Sequence, residues 1–94
     1  MKGLSMAKSS IIINGADNIA VALVDLKKGE GHEGVVLLED ITKGHKFALR
    51  DIPAGDQVIK YGSSIASAVR DIKQGEHVHI HNVRTNLSEN LEYT

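Results

Sequence analysis

A five-residue pattern recurs four times along the chain: Asp, then Ile or Leu, two variable residues, then Gly. The copies are Asp25-Leu26-Lys27-Lys28-Gly29, Asp40-Ile41-Thr42-Lys43-Gly44, Asp51-Ile52-Pro53-Ala54-Gly55 and Asp71-Ile72-Lys73-Gln74-Gly75. Their aspartates lie 15, 11 and 20 residues apart, which excludes a solenoid because that needs a constant period. The local chemistry is that of a tight turn. Gly supplies a positive φ, Pro53 supplies φ near −65°, and Asp can accept from a nearby backbone N–H. The Ile or Leu of each copy can point inward and anchor its turn. Four such turns in 94 residues leave room only for short strands, so the pattern predicts an all-β fold.

The intervening segments agree. Residues 10–14 (SIIIN) form a short β-branched run, and residues 19–24 (IAVALV) are six apolar residues between polar flanks, the length of a buried strand. Residues 35–38 are apolar and follow a Gly-rich stretch, 29–34, expected to be a hairpin loop. Residues 46–50 alternate, placing Phe47 and Leu49 on one face and Lys46, Ala48 and Arg50 on the other. Residues 57–61 carry Val58 and Ile59, and residues 64–69 (SIASAV) are where a helical turn competes with a strand. Residues 77–83 are expected to be the last strand. Residues 1–9 are expected to be a flexible start, 10–84 the folded domain, and 85–94 a polar tail or linker.

Composition removes several function classes. Ninety-four residues make one domain at most. Eleven Lys plus Arg against twelve Asp plus Glu leave a net charge of −1, without the basic excess that nucleic-acid binding needs. There is no Cys, hence no disulfide, thiol nucleophile or zinc knuckle. The longest apolar run, Ile19 to Val24, is too short to span a bilayer. The first ten residues lack the apolar stretch of a secretory signal. The expectation is a cytoplasmic domain that touches neither nucleic acid nor membrane.

Three of the five histidines fall in His77-Val78-His79-Ile80-His81. On a strand these imidazoles share one face while Val78 and Ile80 face the core. Neighbours two apart stand roughly 6.5–7 Å from each other, close enough to converge on one metal ion. Along a straight strand His77 and His81 are roughly 13 Å apart, so the candidate metal pair is His79 and His81, completed from elsewhere. A polar strand face bearing solvated imidazoles fits the same spacing. His45 and Lys46 follow the second turn directly; a lysine there can reach a carboxylate, although a surface pair fits equally. Lys60, beside Tyr61 and Gly62, and Arg84 are further cations that can meet a carboxylate or simply face water. No phosphate loop, nucleophile elbow or paired acid and base is present, so the chain holds at most part of an active site.

Four stretches together resemble a known family: Asn18-Ile19-Ala20-Val21-Ala22-Leu23, Gly44-His45-Lys46-Phe47-Ala48-Leu49-Arg50-Asp51-Ile52, Val58-Ile59-Lys60-Tyr61-Gly62 and Gly75-Glu76-His77-Val78-His79-Ile80-His81-Asn82. They are similar to the amino-terminal SAF domain of altronate and galactarate dehydratases, which also occurs as the small subunit of sulfolactate sulfo-lyase. The resemblance covers roughly residues 10–88. It implies a β-clip fold and a share in β-elimination from a sugar acid, here dehydration of D-altronate to 2-keto-3-deoxy-gluconate. It further implies a large catalytic domain or subunit as partner, and a divalent metal, iron, in the complete enzyme. On that basis His79 and His81 are carried over as metal or proton-transfer residues. His45 and Lys46 are carried over as substrate contacts with Lys60 nearby, and Arg84 joins them as a candidate from its charge alone. A sulfo-lyase small subunit, a non-catalytic sugar-acid-binding module and a docking module remain as alternatives. The small core with its apolar strands also allows self-association.

Overall fold

The computed structural model describes residues 8–79 and 81–85. Each repeat folds as a turn closed by the N–H of the residue after its glycine. Glu30 donates to the Lys27 carbonyl at 3.0 Å, and His45, Asp56 and Glu76 donate to Thr42, Pro53 and Lys73 at 2.9 Å each. The four glycines have φ of 90°, 87°, 90° and 87°, the positive value that the third position of a type II turn requires.

The turns work in pairs. Leu26 bridges to Ile41 and Ile52 bridges to Ile72, and all four anchors are at most 2% exposed. The aspartates serve the opposite turn of the pair. Asp25 accepts from the Lys43 N–H and Asp40 from the Lys28 N–H, at 2.8 and 2.9 Å. Asp51 accepts from Gln74 and Asp71 from Ala54, both at 2.9 Å. Turn donors that water would otherwise have to satisfy are thus closed reciprocally.

Between the turns run β1 (Ser10–Ile11), β2 (Ile19–Ala22), β3 (Gly31–His32), β4 (Val35–Val36), β5 (Lys46–Ala48), β6 (Gln57–Lys60), β7 (Ser63–Ala68), β8 (His77–Val78) and β9 (Val83–Thr85). They form a sheet of order β1-β2-β5-β8, a β3-β4 hairpin and a sheet of order β6-β7-β9, antiparallel throughout. The hairpin turns over Glu33 and Gly34, with φ of 54° and 78°, the double positive φ of a type I′ turn. The all-β expectation therefore holds, with the short bent strands of a β-clip. No helix occurs among the described residues, and none is long and apolar enough to cross a membrane.

Two local expectations change. Residues 64–69 lie in β7 up to Ala68 rather than in a helical turn, because β6 and β9 pair with that strand on both edges. The alternation read in residues 46–50 holds, and β5 is buried on both faces. Phe47 packs with Ala20, Leu26, Leu37 and Ile41 on one side, and Ala48 with Ile19, Ile52, Val58 and Val78 on the other. The four-stranded sheet is covered on both faces, so its central strand is buried twice. Finally, residues 77–83 are not one strand. β8 ends at Val78, the chain turns, and β9 begins at Val83 in the other sheet. The expected core position Ile80 and most of the expected flexible start and polar tail lie outside the described residues.

Candidate metal and substrate site

Strands β5 and β8 leave the second and fourth turns directly after Gly44 and Gly75, and they pair with Lys46 opposite Val78 and Phe47 opposite His77. That register, continued by one residue, sets His45 across from His79 and diagonal to His77. Side chains opposite one another on an antiparallel pair share a face. Accordingly the His45 and His79 rings stack at 4.1 Å between centroids, and His45 and His77 at 5.0 Å. One nitrogen from each of these three rings lies within 4.8 Å of the others, and all three side chains are half-buried. His45 Nδ1 and His77 Nε2 share a hydrogen bond of 2.8 Å.

The turn after Val78 is organised by Asn82, which is fully buried. Its Oδ1 accepts the His79 N–H at 3.0 Å and its Nδ2 donates to the His77 carbonyl at 2.7 Å. Its own N–H donates to the His79 carbonyl at 3.2 Å. The reversal brings the exposed His81 ring back to 5.0 Å from His77, tilted by 33°, where a straight strand would have held them far apart. The sequence-based pair His79 and His81 is therefore not the set that converges most closely. His79 belongs to the triad with His45 and His77, and His81 stands beside it.

Burial lowers the His77 pKa from its usual 6.5. The neighbouring His81 and His45 act in the same direction, and the Glu39 carboxylate partly opposes them. Burial also lowers that of His79, helped by His45, Lys46 and His81. Both imidazoles are thus held neutral near neutral pH, the form that donates a lone pair to a metal. Donors on a tetrahedral ion stand about 3.3 Å apart. The triad could hold a cation once the rings draw closer than their present 4.8 Å nitrogen spread and the His45–His77 proton is displaced. Three imidazoles suit zinc, iron, copper or nickel and do not single out one of them.

Beside the triad a cleft of about 270 Å³ opens between the two larger sheets, bordered by Lys46, Val58, Ile65, Ala66, Val78, His79, Val83 and Thr85. Lys46 is half-buried at its edge. Burial lowers its pKa, and the charge of Lys60 lowers it further. Among the described residues neither lysine forms an ion pair with a carboxylate. Lys60 also lies 4.9 Å from the centre of the Tyr61 ring. The cleft therefore offers one lining cation, Lys46, to an anion, with the charge of Lys60 close enough to be felt by it. Arg84, by contrast, alternates with the cleft-lining Val83 and Thr85 and is exposed on the opposite face of β9. The structure brings together His45, His77, His79, Lys46 and Lys60 and leaves Arg84 apart.

A model of the altronate/galactarate dehydratase SAF domain matches residues 8–86. The chain belongs to this family. It is 51% identical over 87 residues to the altronate dehydratase of Escherichia coli K12 and 48% identical over 86 residues to that of Bacillus subtilis 168. These matches cover 88% and 87% of this chain but only 18% and 17% of those enzymes, so the SAF domain spans under a fifth of their length. It is also 35% identical over 91 residues to a (2R)-sulfolactate sulfo-lyase subunit alpha of Chromohalobacter salexigens, covering 85% of this chain and 97% of that subunit. The domain is thus similar both to a part of long dehydratases and to a free-standing small subunit.

Sequence reasoning missed His77 and His45 as triad members and the turn-forming role of Asn82. A signal was available for His45. Gly44-His45-Lys46-Phe47 and Gly75-Glu76-His77-Val78 are equivalent stretches after equivalent turns. Two like stretches made it reasonable to pair them, but the register that sets His45 opposite His79 comes from the structure.

Proposed function

We propose that this SAF domain is the accessory part of a sugar-acid hydro-lyase, acting on altronate together with a large catalytic region, in the cytoplasm. The observation that carries this reading is the imidazole triad beside a cleft lined by Lys46, which, like the neighbouring Lys60, forms no ion pair with a carboxylate among the described residues. β-Elimination next to a carboxylate requires compensation for charge that develops on the carboxylate and on the departing hydroxyl. Lys46 and Lys60 hold the substrate carboxylate. His45, His77 and His79 hold a divalent cation such as iron, which when bound supplies Lewis-acid assistance. His81, exposed at the tip of the turn, carries the proton to the departing hydroxyl. The apolar walls of the cleft keep water from the carboxylate end and leave the remaining hydroxyls to the catalytic region. Arg84 faces away and is left out of this site.

The test is reconstitution with the catalytic region of an altronate dehydratase expressed without its own SAF part. The SAF domain alone is expected to give no 2-keto acid from altronate, and the mixture is expected to turn over. Equal turnover with and without it contradicts the proposal. The near-complete coverage of a sulfo-lyase subunit alpha favours a second reading, in which sulfite leaves in place of water. Sulfite release from (2R)-sulfolactate by the equivalent mixture with a sulfo-lyase large subunit distinguishes the two.

A further inference from the structure

β8 is the outer strand of its sheet among the described residues, with β5 on one side and none of the described strands on the other. The Ala48 N–H donates to the Glu76 carbonyl and the Ala48 carbonyl accepts the Gly75 N–H, so the backbone groups that face β5 are those of residues 75–76 and, by the alternation of an antiparallel pair, of Val78 opposite Lys46. The N–H and C=O of His77 therefore point away from β5, the unpaired edge that another strand would normally fill.

Two side chains fill it instead. Glu39 Oε2 accepts the His77 N–H at 2.9 Å, and Asn82 Nδ2 donates to the His77 carbonyl at 2.7 Å. The same Asn82 carboxamide accepts the His79 N–H at 3.0 Å. Asn82 is itself fixed: its carbonyl accepts the Val69 N–H at 3.0 Å, tying the turn to the end of β7, and its side chain has no exposure to water.

We infer that Glu39 and Asn82 are positioning residues that stand in for a missing strand and set the spacing at which His77 and His79 meet His45. Neither belongs to the triad itself. The inference deepens the proposed metal role of the triad, yet its geometric content concerns the metal-free rings and can be read without a metal. Outer residues that orient imidazole ligands typically govern metal affinity by about 10–100-fold.

The test uses Glu39→Ala, Glu39→Gln and Asn82→Asp in the full chain, with zinc calorimetry and ring-to-ring proton contacts by NMR on the metal-free proteins. Glu39→Gln keeps an acceptor for the His77 N–H, whereas Asn82→Asp keeps the acceptor for His79 and loses the donor to His77. Expected are a loss of zinc affinity of about tenfold or more in Glu39→Ala and Asn82→Asp, and recovery to within about threefold in Glu39→Gln. The contacts between the His45 and His79 rings should disappear in Asn82→Asp while the amide spectrum stays dispersed. Intact ring contacts and zinc affinity in both Glu39→Ala and Asn82→Asp overturn the inference. Should the unaltered chain bind no zinc, the metal role falls alone, and the ring contacts still decide for or against positioning. If Asn82→Asp does not fold, the contrast between Glu39→Ala and Glu39→Gln decides.

Discussion

At residues 73–76 the chain reverses over Gly75, with φ of 87°, and Asp51 from the paired turn caps the Gln74 N–H. A few residues later it reverses again between His79 and Asn82 with no glycine, held by a buried carboxamide of its own. The first device is used four times and its partners are other copies of itself. The second, a turn closed by the buried side chain of its own last residue, also occurs at residues 14–17, where Asp17 accepts the Asn14 N–H; at 79–82 the groups it leaves pointing outward are imidazoles. The comparison teaches that the repeated turns build the frame, and that chemistry collects where the repetition stops. The frame still matters to the site, because turns two and four deliver the strands whose register brings His45 to His79.

The largest expected effect is within the frame. A Cβ on Gly75 would lie 2.3 Å from the Val36 carbonyl oxygen, whereas one on Gly55 would meet nothing within 4 Å. Both positions have positive φ, so both substitutions carry backbone strain. Gly75→Ala is expected to cost about 3–5 kcal/mol and Gly55→Ala about 1–2 kcal/mol in urea unfolding. Equal losses would show that the packing of the fourth turn on the β4 segment is not what distinguishes it.

Next comes a crossed pair that separates frame from site. His45→Ala should weaken zinc binding beyond the 10–100-fold expected for outer positions while changing stability by no more than about 1 kcal/mol. Asp71→Ala should do the reverse, losing about 1 kcal/mol through the uncapped Ala54 N–H and leaving zinc affinity unchanged. Calorimetry and denaturation on both variants check this, and a loss of zinc affinity in Asp71→Ala would break the separation.

Smaller effects follow from pH. The folded pKa values of His77 and His79 lie below 6.5, so between those values and 6.5 the unfolded chain binds more protons than the folded one. Their contribution to stability is complete above about pH 6.5 and is lost as pH falls through the depressed values. The urea midpoint of the metal-free chain should decline from pH 7.5 to 5, and a His77→Gln/His79→Gln variant should decline less. Asp17 gives the acid limb. Burial pushes its carboxyl up, but the N–H groups of Gly62, Tyr61, Asn14 and Ile13 outweigh that and hold it below 3.8. Its contribution is present above about pH 4 and lost on further acidification, so Asp17→Asn should flatten the unfolding profile there.

Much of the frame was legible because it is local. The Asp-to-Gly spacing, the inward Ile or Leu and the positive φ at glycine all lie within five residues, and each was found as expected. What lay beyond the sequence was pairing between distant segments. Nothing near Asp71 says that it caps Ala54 rather than its own turn. The three-histidine alternation read as one straight strand, since alternation reports faces and is silent on where a strand stops. Asn82 stops it, and a single buried asparagine looks like any polar residue until its partners are known. The site was half legible for the same reason: His79 was found from local spacing, and His45 and Lys46 were placed together, but the triad needed the cross-strand register.

Cobalt(II) titration of the full chain, followed in the visible absorption of the bound ion, addresses the central claim most directly. One equivalent with d–d bands of nitrogen coordination is predicted, abolished by His45→Ala and retained in His81→Ala. Binding that survives His45→Ala unchanged, or that depends on His81 instead, would contradict a cation held by the second and fourth turns together.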